Sequence, residues 1–349
     1  MRAIPIANVY YLLSYAWRHV EEADLIDAGE LEDLEHFHDL LGKVLALGTH
    51  RQVRRGLDRG YVETTADLRG VRGQILVSDY AKRAHVARGT VPCRFEELTH
   101  DVQHNRVLKS SLAALLRVPA LSEEIRDQVR GAHGMLDGIE EERLDGSSFR
   151  RIQLDGNRRG YRFLLEMCRL LHECMGVDEA TGFSEFHDFR DDYERMWQVF
   201  EDFLREFYRR EQSEFTVDAH GRRIHWHRTT QLDEPLHDLV PRMEADVILE
   251  SAERRIVIDT KYYRSALQES WSTSKVRSGH LYQLLAYLRN REETAPSGPH
   301  HEGLLLYPRV DRDLAADFEL EGFRIRAATV DLTRSWREIH DGLLSLLAA

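Results

Sequence analysis

The sequence predicts an α+β N-terminal domain, made of helices plus a small β domain, followed by an α/β domain with a mixed central sheet. Three observations carry this. The chain has 349 residues, 42% of them hydrophobic, enough for two cores at a domain size of roughly 100 to 200 residues. A glycine-rich stretch holding Gly134, Gly138, Gly146, Gly156 and Gly160 marks a boundary and divides the chain into 1–156 and 157–349. Beyond it the apolar period runs helix, three strands, helix, two strands, helix, the pattern of helices packed on a mixed sheet.

Each element follows from its own spacing. Val9, Leu12, Leu13, Ala16 and Trp17 recur at helical intervals, with Asn8 placed as the cap. A helical hairpin follows through Leu40 to Leu47. Glycines at 60, 70, 73 and 89 then punctuate short β-rich pieces, QILV at 74–77 and TVPCRF at 90–95. Leu108, Leu112, Leu115 and Leu116 form the face of a helix that stops near Pro119. In the second domain one helix carries Phe163, Leu164, Met167, Leu170, Leu171 and Cys174. A longer one spans about 191–210, with Met196, Trp197, Phe200, Phe203, Leu204 and Phe207 inward. Strands are expected at 223–228, 243–250 and 254–263, a helix at 276–290, strands at 302–308 and 323–332, and a helix at 334–347.

Composition excludes several classes. The three cysteines, Cys93, Cys168 and Cys174, are too few and odd in number for a disulfide framework and imply reduced thiols in a cytoplasmic protein. Cys168, His172 and Cys174 share a helix, but no further ligand pair follows at zinc spacing. No run of about 18 apolar residues occurs, so no membrane span is expected, and the opening segment lacks a signal-peptide cleavage site. The net charge of -12 argues against a surface that wraps nucleic acid all round. Two stretches run the other way. Residues 251–291 carry eight basic side chains against three acids, and residues 51–94 carry ten against four. Their nets of +5 and +6 leave -23 for the rest, so two positive surfaces sit on an acidic body.

The chemistry concentrates on Asp246, Asp259 and Lys261. Alternation along a strand puts Asp259 and Lys261 on one face, with Ile258 and Thr260 on the other. Ionised groups in so apolar a strand are costly to bury unpaired. Two carboxylates on neighbouring strands supply hard oxygen ligands suited to Mg²⁺, a cation that keeps several waters. A lysine beside them can orient an attacking water or hold charge on a phosphorane-like oxygen. An Asp-X-Lys triplet on its own also occurs as a solvated ion pair of little consequence. Here the preceding IVI run marks an internal strand, a second Asp lies a hairpin upstream, and a helix with glutamates precedes both.

This arrangement resembles the PD-(D/E)XK, restriction-endonuclease-like nucleases. PRMEAD at 241–246 stands at the Pro-Asp position, IDTKYY at 258–263 supplies the second acid and the lysine, and HLYQLLAY at 280–287 matches a Gln-X-X-X-Tyr pattern through Gln283 and Tyr287. The likeness extends to IPIANVYYLLSYAW at 4–17, VRGQI at 71–75, NRVLKSSLAALL at 105–116, LVPRMEADV at 239–247 and GLLLYPRVD at 303–311. Together these resemble the McrC family of endonuclease subunits of 5-methylcytosine-specific McrBC restriction systems. The resemblance implies a nuclease domain over 157–349 and a partner-docking domain over 1–156. It implies Mg²⁺ as cofactor, methylated double-stranded DNA as substrate, and a McrB-like AAA+ GTPase ring as partner, whose GTP hydrolysis the subunit stimulates. No Gly-x-x-x-x-Gly-Lys-Ser/Thr stretch occurs in the chain, which agrees with GTP being bound by the partner.

Within that frame Asp246 and Asp259 are the metal ligands and Lys261 positions the nucleophile. Gln283 assists, or is a helix-surface amide. Glu201, flanking the apolar stripe of the long helix, is the choice over Glu194 and Glu206 for a third acid. Glu244 is a secondary ligand or a partner of Arg242. Tyr263, Arg264, Lys275 and Arg277 mix aromatic and basic side chains as a DNA-facing rim would. Arg72, Lys82 and Arg83 are docking candidates in a β-domain loop that would bring a cation to the partner's nucleotide, as arginine fingers do. Two rivals stand beside this reading: a docking and GTPase-stimulating subunit whose nuclease motif is idle, and a stand-alone repair nuclease.

Overall fold

The computed structural model describes residues 4–21, 26, 28–77, 89–152, 154, 159–177, 184–217, 223–224, 226, 241–261, 267–270, 273–294, 299–309 and 313–348. Helix α1 (Ile6–Ala16) and the short α2 (Ala28–Glu32) open the chain but belong to the unit that closes it. One compact unit comprises Met1–Asp24, Ala28–Glu35 and Asp188–Ala349, and the other comprises Leu25–Asp27 and His36–His187. The division thus differs from the sequence boundary at 156/157.

The unit around His36–His187 is helical with a small sheet. Helix α3 (Phe37–Arg55) packs against α4 (Gln103–Leu115), α5 (Glu123–Gly134) and α7 (Arg159–Cys174), while α6 (Gly146–Arg150) packs on α4. Helix α7, assigned to the second domain from sequence, lies here because Phe163, Leu164, Met167 and Leu171 are buried in this core. At Gly48 an added Cβ would run into Leu164, so only glycine lets α3 approach α7 this closely. Strands β1 (Gly60–Leu68), β2 (Gln74–Ile75) and β3 (Val91–Thr99) form an antiparallel sheet in the order β1-β3-β2. Its exposed Tyr61 and Leu98 face each other across the ladder. A short hairpin, β4 (Met175–Val177) and β5 (Ser184–Phe186), ends the unit.

The other unit is built on a mixed six-stranded sheet. Helix α8 (Tyr193–Glu211), capped by the Asp192 side chain, leads into β6 (Thr216–Val217). A small ladder pairs β7 (Arg223–Ile224) with β8 (Met243–Glu244). Next come β9 (Val247–Glu250), β10 (Arg254–Thr260), the hairpin β11 (Leu267–Ser270) and β12 (Thr273–Val276), then α9 (Ser278–Thr294). The chain closes with β13 (His300–Pro308), β14 (Ala315–Leu320), β15 (Phe323–Val330) and α10 (Trp336–Ser345). The order is β14-β15-β13-β10-β9-β6, with β10–β13 and β13–β15 parallel and the other pairs antiparallel. Leu284, Leu285, Tyr287 and Leu288 of α9 pack with Val257, Leu305, Tyr307 and Ile325 of the sheet.

Three expectations change. Asn8 is no cap: α1 starts at Ile6 after Pro5, and the buried Asn8 amide donates to the carbonyls of Leu332 and Arg334, each at 2.8 Å. Trp197 is 38% exposed, because the buried stripe of α8 is narrower and runs through Met196, Phe200, Phe203, Leu204 and Phe207. The single strand expected at 243–250 is two, interrupted at Ala245 and Asp246. Strand β14 and helix α5 were not anticipated. Of the strand expected at 223–228, residues 225, 227 and 228 lie outside the described residues.

Candidate active site

Asp259 stands near the C-terminal end of β10, between β9 and β13, with 1% of its surface exposed. The ladder pairs Ile258 with Val247 on one side and Asp259 with Leu305 on the other, so the strand interruption at Asp246 falls beside Asp259 and Thr260. Asp246 is itself buried, and its Oδ2 accepts the Thr260 N–H at 2.6 Å and the Thr260 hydroxyl at 2.7 Å. Lys261 extends the strand by donating its N–H to the Leu306 carbonyl at 3.0 Å. Its ammonium lies 2.9 Å from Asp259 Oδ2.

The electrostatics follow from burial. Removal from water pushes the Asp259 carboxyl up to about 7, with Lys261 pulling it down and Asp246 pushing it further up. The two buried carboxylates thus feel one another's charge, and Lys261 offsets part of it at Asp259. Among the described residues no group of three His, Cys, Asp or Glu side chains is placed to hold a metal. Asp246 and Asp259 offer two hard carboxylate donors, which fits a cation that keeps most of its waters.

Glu201 does not join them as a third ligand. Its carboxylate lies 3.5 Å from Arg205 Nη2, and Arg205 in turn donates through Nε to the Asp246 carbonyl at 3.3 Å and through Nη1 to Asp202 at 2.7 Å. Glu201 thus reaches the site through an arginine one helical turn on. Glu244 is exposed on β8, where its backbone pairs with Arg223. Gln283 and Tyr287 share a face of α9, the Gln283 Nε2 donating to the Tyr287 hydroxyl at 2.6 Å. Burial pushes the Tyr287 phenol up to about 12, and the charges of Asp259, Asp246 and Glu244 add to the shift.

Arg277 precedes α9, its carbonyl accepting the His280 N–H at 3.1 Å, and Lys275 lies on β12 opposite Gln268. Tyr263 and Arg264 lie outside the described residues, as do Lys82 and Arg83. Arg72 is exposed on the small sheet, its guanidinium 4.3 Å from the centre of the Phe95 ring and 3.4 Å from the Glu96 carbonyl that accepts from it. The buried Cys168 has its thiol pushed up to about 12 by burial, the opposite of what a metal-binding thiolate needs.

Three residues escaped the sequence reading. Alternation turns Thr260 away from Asp259 and Lys261, yet its hydroxyl reaches Asp246; the signal is a polar side chain inside an otherwise apolar strand. Arg205 sits one turn beyond Glu201 and had no motif to reveal it. His280 is buried at the start of α9, its Nδ1 hydrogen-bonded to the Tyr307 hydroxyl at 2.9 Å. Burial, then the charges of Lys261 and Arg277, push this imidazole down to about 4.

The family model of the McrBC 5-methylcytosine restriction system component matches residues 7–308. The chain is 32% identical over 345 residues to the Type IV methyl-directed restriction enzyme EcoKMcrBC of Escherichia coli strain K12, covering 98% of this chain and 97% of that protein. Among solved structures it aligns with a half-complex from the tetradecameric assembly of Thermococcus gammatolerans McrB AAA+ hexamers with bound McrC. The TM-score is 0.59 at 18% identity, over 98% of this chain and 76% of that one. At that identity the likeness establishes a common fold.

Proposed function

The chain belongs to the McrBC 5-methylcytosine restriction system component family, and from that premise we propose that it is the endonuclease subunit of a modification-dependent restriction system. It hydrolyses phosphodiester bonds of methylated double-stranded DNA at a PD-(D/E)XK site. It does so assembled on a McrB-like AAA+ GTPase ring, whose GTP hydrolysis it stimulates. The observation that carries this reading is the buried ion pair of Asp259 and Lys261, set beside Asp246 at the edge of a strand break.

Each residue has a role on that reading. Asp246 and Asp259 hold Mg²⁺, Asp246 in the orientation that the two bonds from Thr260 impose. Bound there, the cation would polarise the scissile phosphate and lower the pKa of water. Lys261, held by Asp259, orients the attacking water and faces the charge that grows on the phosphorus oxygens. Gln283, tied to Tyr287, offers its amide toward DNA at the mouth of the site, and Glu201 acts through Arg205 on the Asp246 backbone. Arg277 contributes to a DNA-facing rim. Arg72, over the Phe95 ring of β3 and in the same unit as the exposed Tyr61, belongs to the docking surface for the ring. The solved relative is a McrC bound to McrB AAA+ hexamers, which supports the partner assignment.

The test is cleavage of methylated and unmethylated plasmid by the chain with a McrB-like partner, Mg²⁺ and GTP. Asp259→Ala and Lys261→Ala should each lower cleavage by at least about 100-fold, the lower range for losing one acid–base group, while stimulation of the partner's GTPase persists. A variant that cuts like the parent makes the motif idle and leaves a docking subunit. Cleavage with Mg²⁺ alone, without GTP or partner, points instead to a stand-alone nuclease.

A further inference from the structure

We infer that His280 and Tyr307 form a positioning pair for Lys261, holding its ammonium on the side of Asp259. The inference rests on the nuclease reading of Asp259 and Lys261 and adds two residues to it.

The argument begins with register. In the parallel ladder Asp259 pairs with Leu305 and Thr260 with Leu306, so Lys261 is followed across the strand gap by Tyr307. Parallel neighbours in register point their side chains to the same face, at a strand spacing of about 4.8 Å. That face is covered by α9. Leu305 and Tyr307 lie in one apolar cluster with Leu284, Leu285, Tyr287 and Leu288. The Lys261 side chain is therefore bounded by Asp259 on its own strand and by the 1% exposed Tyr307 on the next.

Tyr307 takes a bond from α9. Its hydroxyl needs a partner when buried among leucines and a tyrosine, and His280, from the first turn of α9, supplies one at 2.9 Å. The two rings lie 5.8 Å apart at 34°, and the register sets Tyr307 beside Lys261 on the face that Asp259 shares. With Tyr307 beside it and Asp259 Oδ2 at 2.9 Å, the lysine is steered toward the carboxylate. A lysine carries four rotatable bonds and a compact charge. Restricting it ahead of the reaction removes an ordering cost that the transition state would otherwise bear.

The experiment uses the whole chain with its McrB-like partner, methylated plasmid, Mg²⁺ and GTP, in single-turnover cleavage. His280→Ala and Tyr307→Phe should each slow cleavage by about 10- to 100-fold, the usual effect of removing a support behind a reacting group. Binding of methylated DNA and stimulation of the GTPase should stay within twofold of the parent. The double variant should be no slower than the worse single one, because both remove the same bond. His280→Asn, whose amide can take the place of Nδ1, should recover most of the rate. Recovery by Asn separates positioning from mere packing, since Asn fills less space than His. If His280→Ala loses its fold, His280→Asn and Tyr307→Phe still decide the matter. Parent-like cleavage by Tyr307→Phe, or strictly multiplicative losses in the double variant, overturns the pair. Lys261→Ala is run alongside: if it also cuts, the nuclease reading fails; if it is dead while His280→Ala and Tyr307→Phe are normal, only the positioning pair fails.

Discussion

Thr260 donates both its backbone N–H and its hydroxyl to one oxygen of Asp246, at 2.6 and 2.7 Å. The residue between Asp259 and Lys261 thus fixes the carboxylate contributed by the neighbouring strand. Thr260→Val keeps the shape and the N–H bond and removes the hydroxyl bond. Cleavage should fall by about 10- to 100-fold and need more Mg²⁺, whereas Thr260→Ser should stay near the parent. Mg²⁺ titration of plasmid cleavage checks this, and an unchanged Mg²⁺ midpoint for Thr260→Val would show that the N–H bond alone holds Asp246.

Asp259 makes stability depend on pH. Burial raises its carboxyl to about 7, so above the ordinary carboxylate range the unfolded chain has released a proton that the folded chain still holds. The folded state then binds more protons than the unfolded one, and this residue's contribution falls as pH rises from about 4 to about 7. A divalent cation substitutes for the proton, and its binding competes with protonation. Mg²⁺ should therefore raise the melting temperature more at pH 8 than at pH 5. Asp259→Asn should flatten that dependence and gain on the metal-free parent as pH rises. Thermal unfolding across pH 5–8, with and without Mg²⁺, reads both; equal Mg²⁺ shifts in parent and Asp259→Asn would remove Asp259 from the ligands.

Asn8 ties α1 to the segment before α10 through two bonds, a buried one to Leu332 and a partly buried one to Arg334. Asn8→Ala leaves two carbonyls without this donor, at a cost of about 1–3 kcal/mol. Thermal unfolding should show a drop of several degrees, while the cleavage rate at low temperature stays near that of the parent. A large loss of cleavage with unchanged melting would place Asn8 in the chemistry and contradict its structural role.

Asn8 also shows where sequence reading ends. Helix α1 was legible because its apolar spacing is local, but the amide's partners lie more than three hundred residues away and no pattern near Asn8 points to them. The same divide runs through the site. Asp246, Asp259 and Lys261 stood out because charge inside apolar strands is conspicuous, and Gln283 and Tyr287 only through the resemblance of HLYQLLAY to the Gln-X-X-X-Tyr pattern of the restriction-endonuclease-like nucleases. Arg205 and His280 did not stand out, since the contacts that bring them to the site, with the Asp246 carbonyl and the Tyr307 hydroxyl, come from other elements. The boundary was misplaced for a similar reason: glycines mark where a chain can turn, while α7 joins the core that its apolar face fits. Strand β14 was missed because its exposed alternation at the sheet edge resembles a polar loop.

Gly303 sets how closely α9 approaches the sheet. A methyl group there would lie 2.7 Å from Leu284 Cδ2, 2.9 Å from Leu284 Cγ and 3.1 Å from Leu288 Cδ1. Since Cγ is not a free end, Gly303→Ala forces α9 outward, and overpacking of this kind costs about 1–3 kcal/mol. His280 and Gln283 ride on the same helix, so displacement should lower cleavage along with melting temperature. Leu284→Ala opens the space that the new methyl needs, at a cost of its own of about 2–5 kcal/mol. In the double variant the two costs should overlap, so that it is more stable than their sum predicts. Cleavage should recover in part relative to Gly303→Ala, because the helix can return toward the strand. Melting curves and single-turnover rates for the four proteins close the cycle. Strict additivity in both would mean that α9 is not pressed against β13 at this point, and that the site tolerates a looser helix than the Gly303 contact implies.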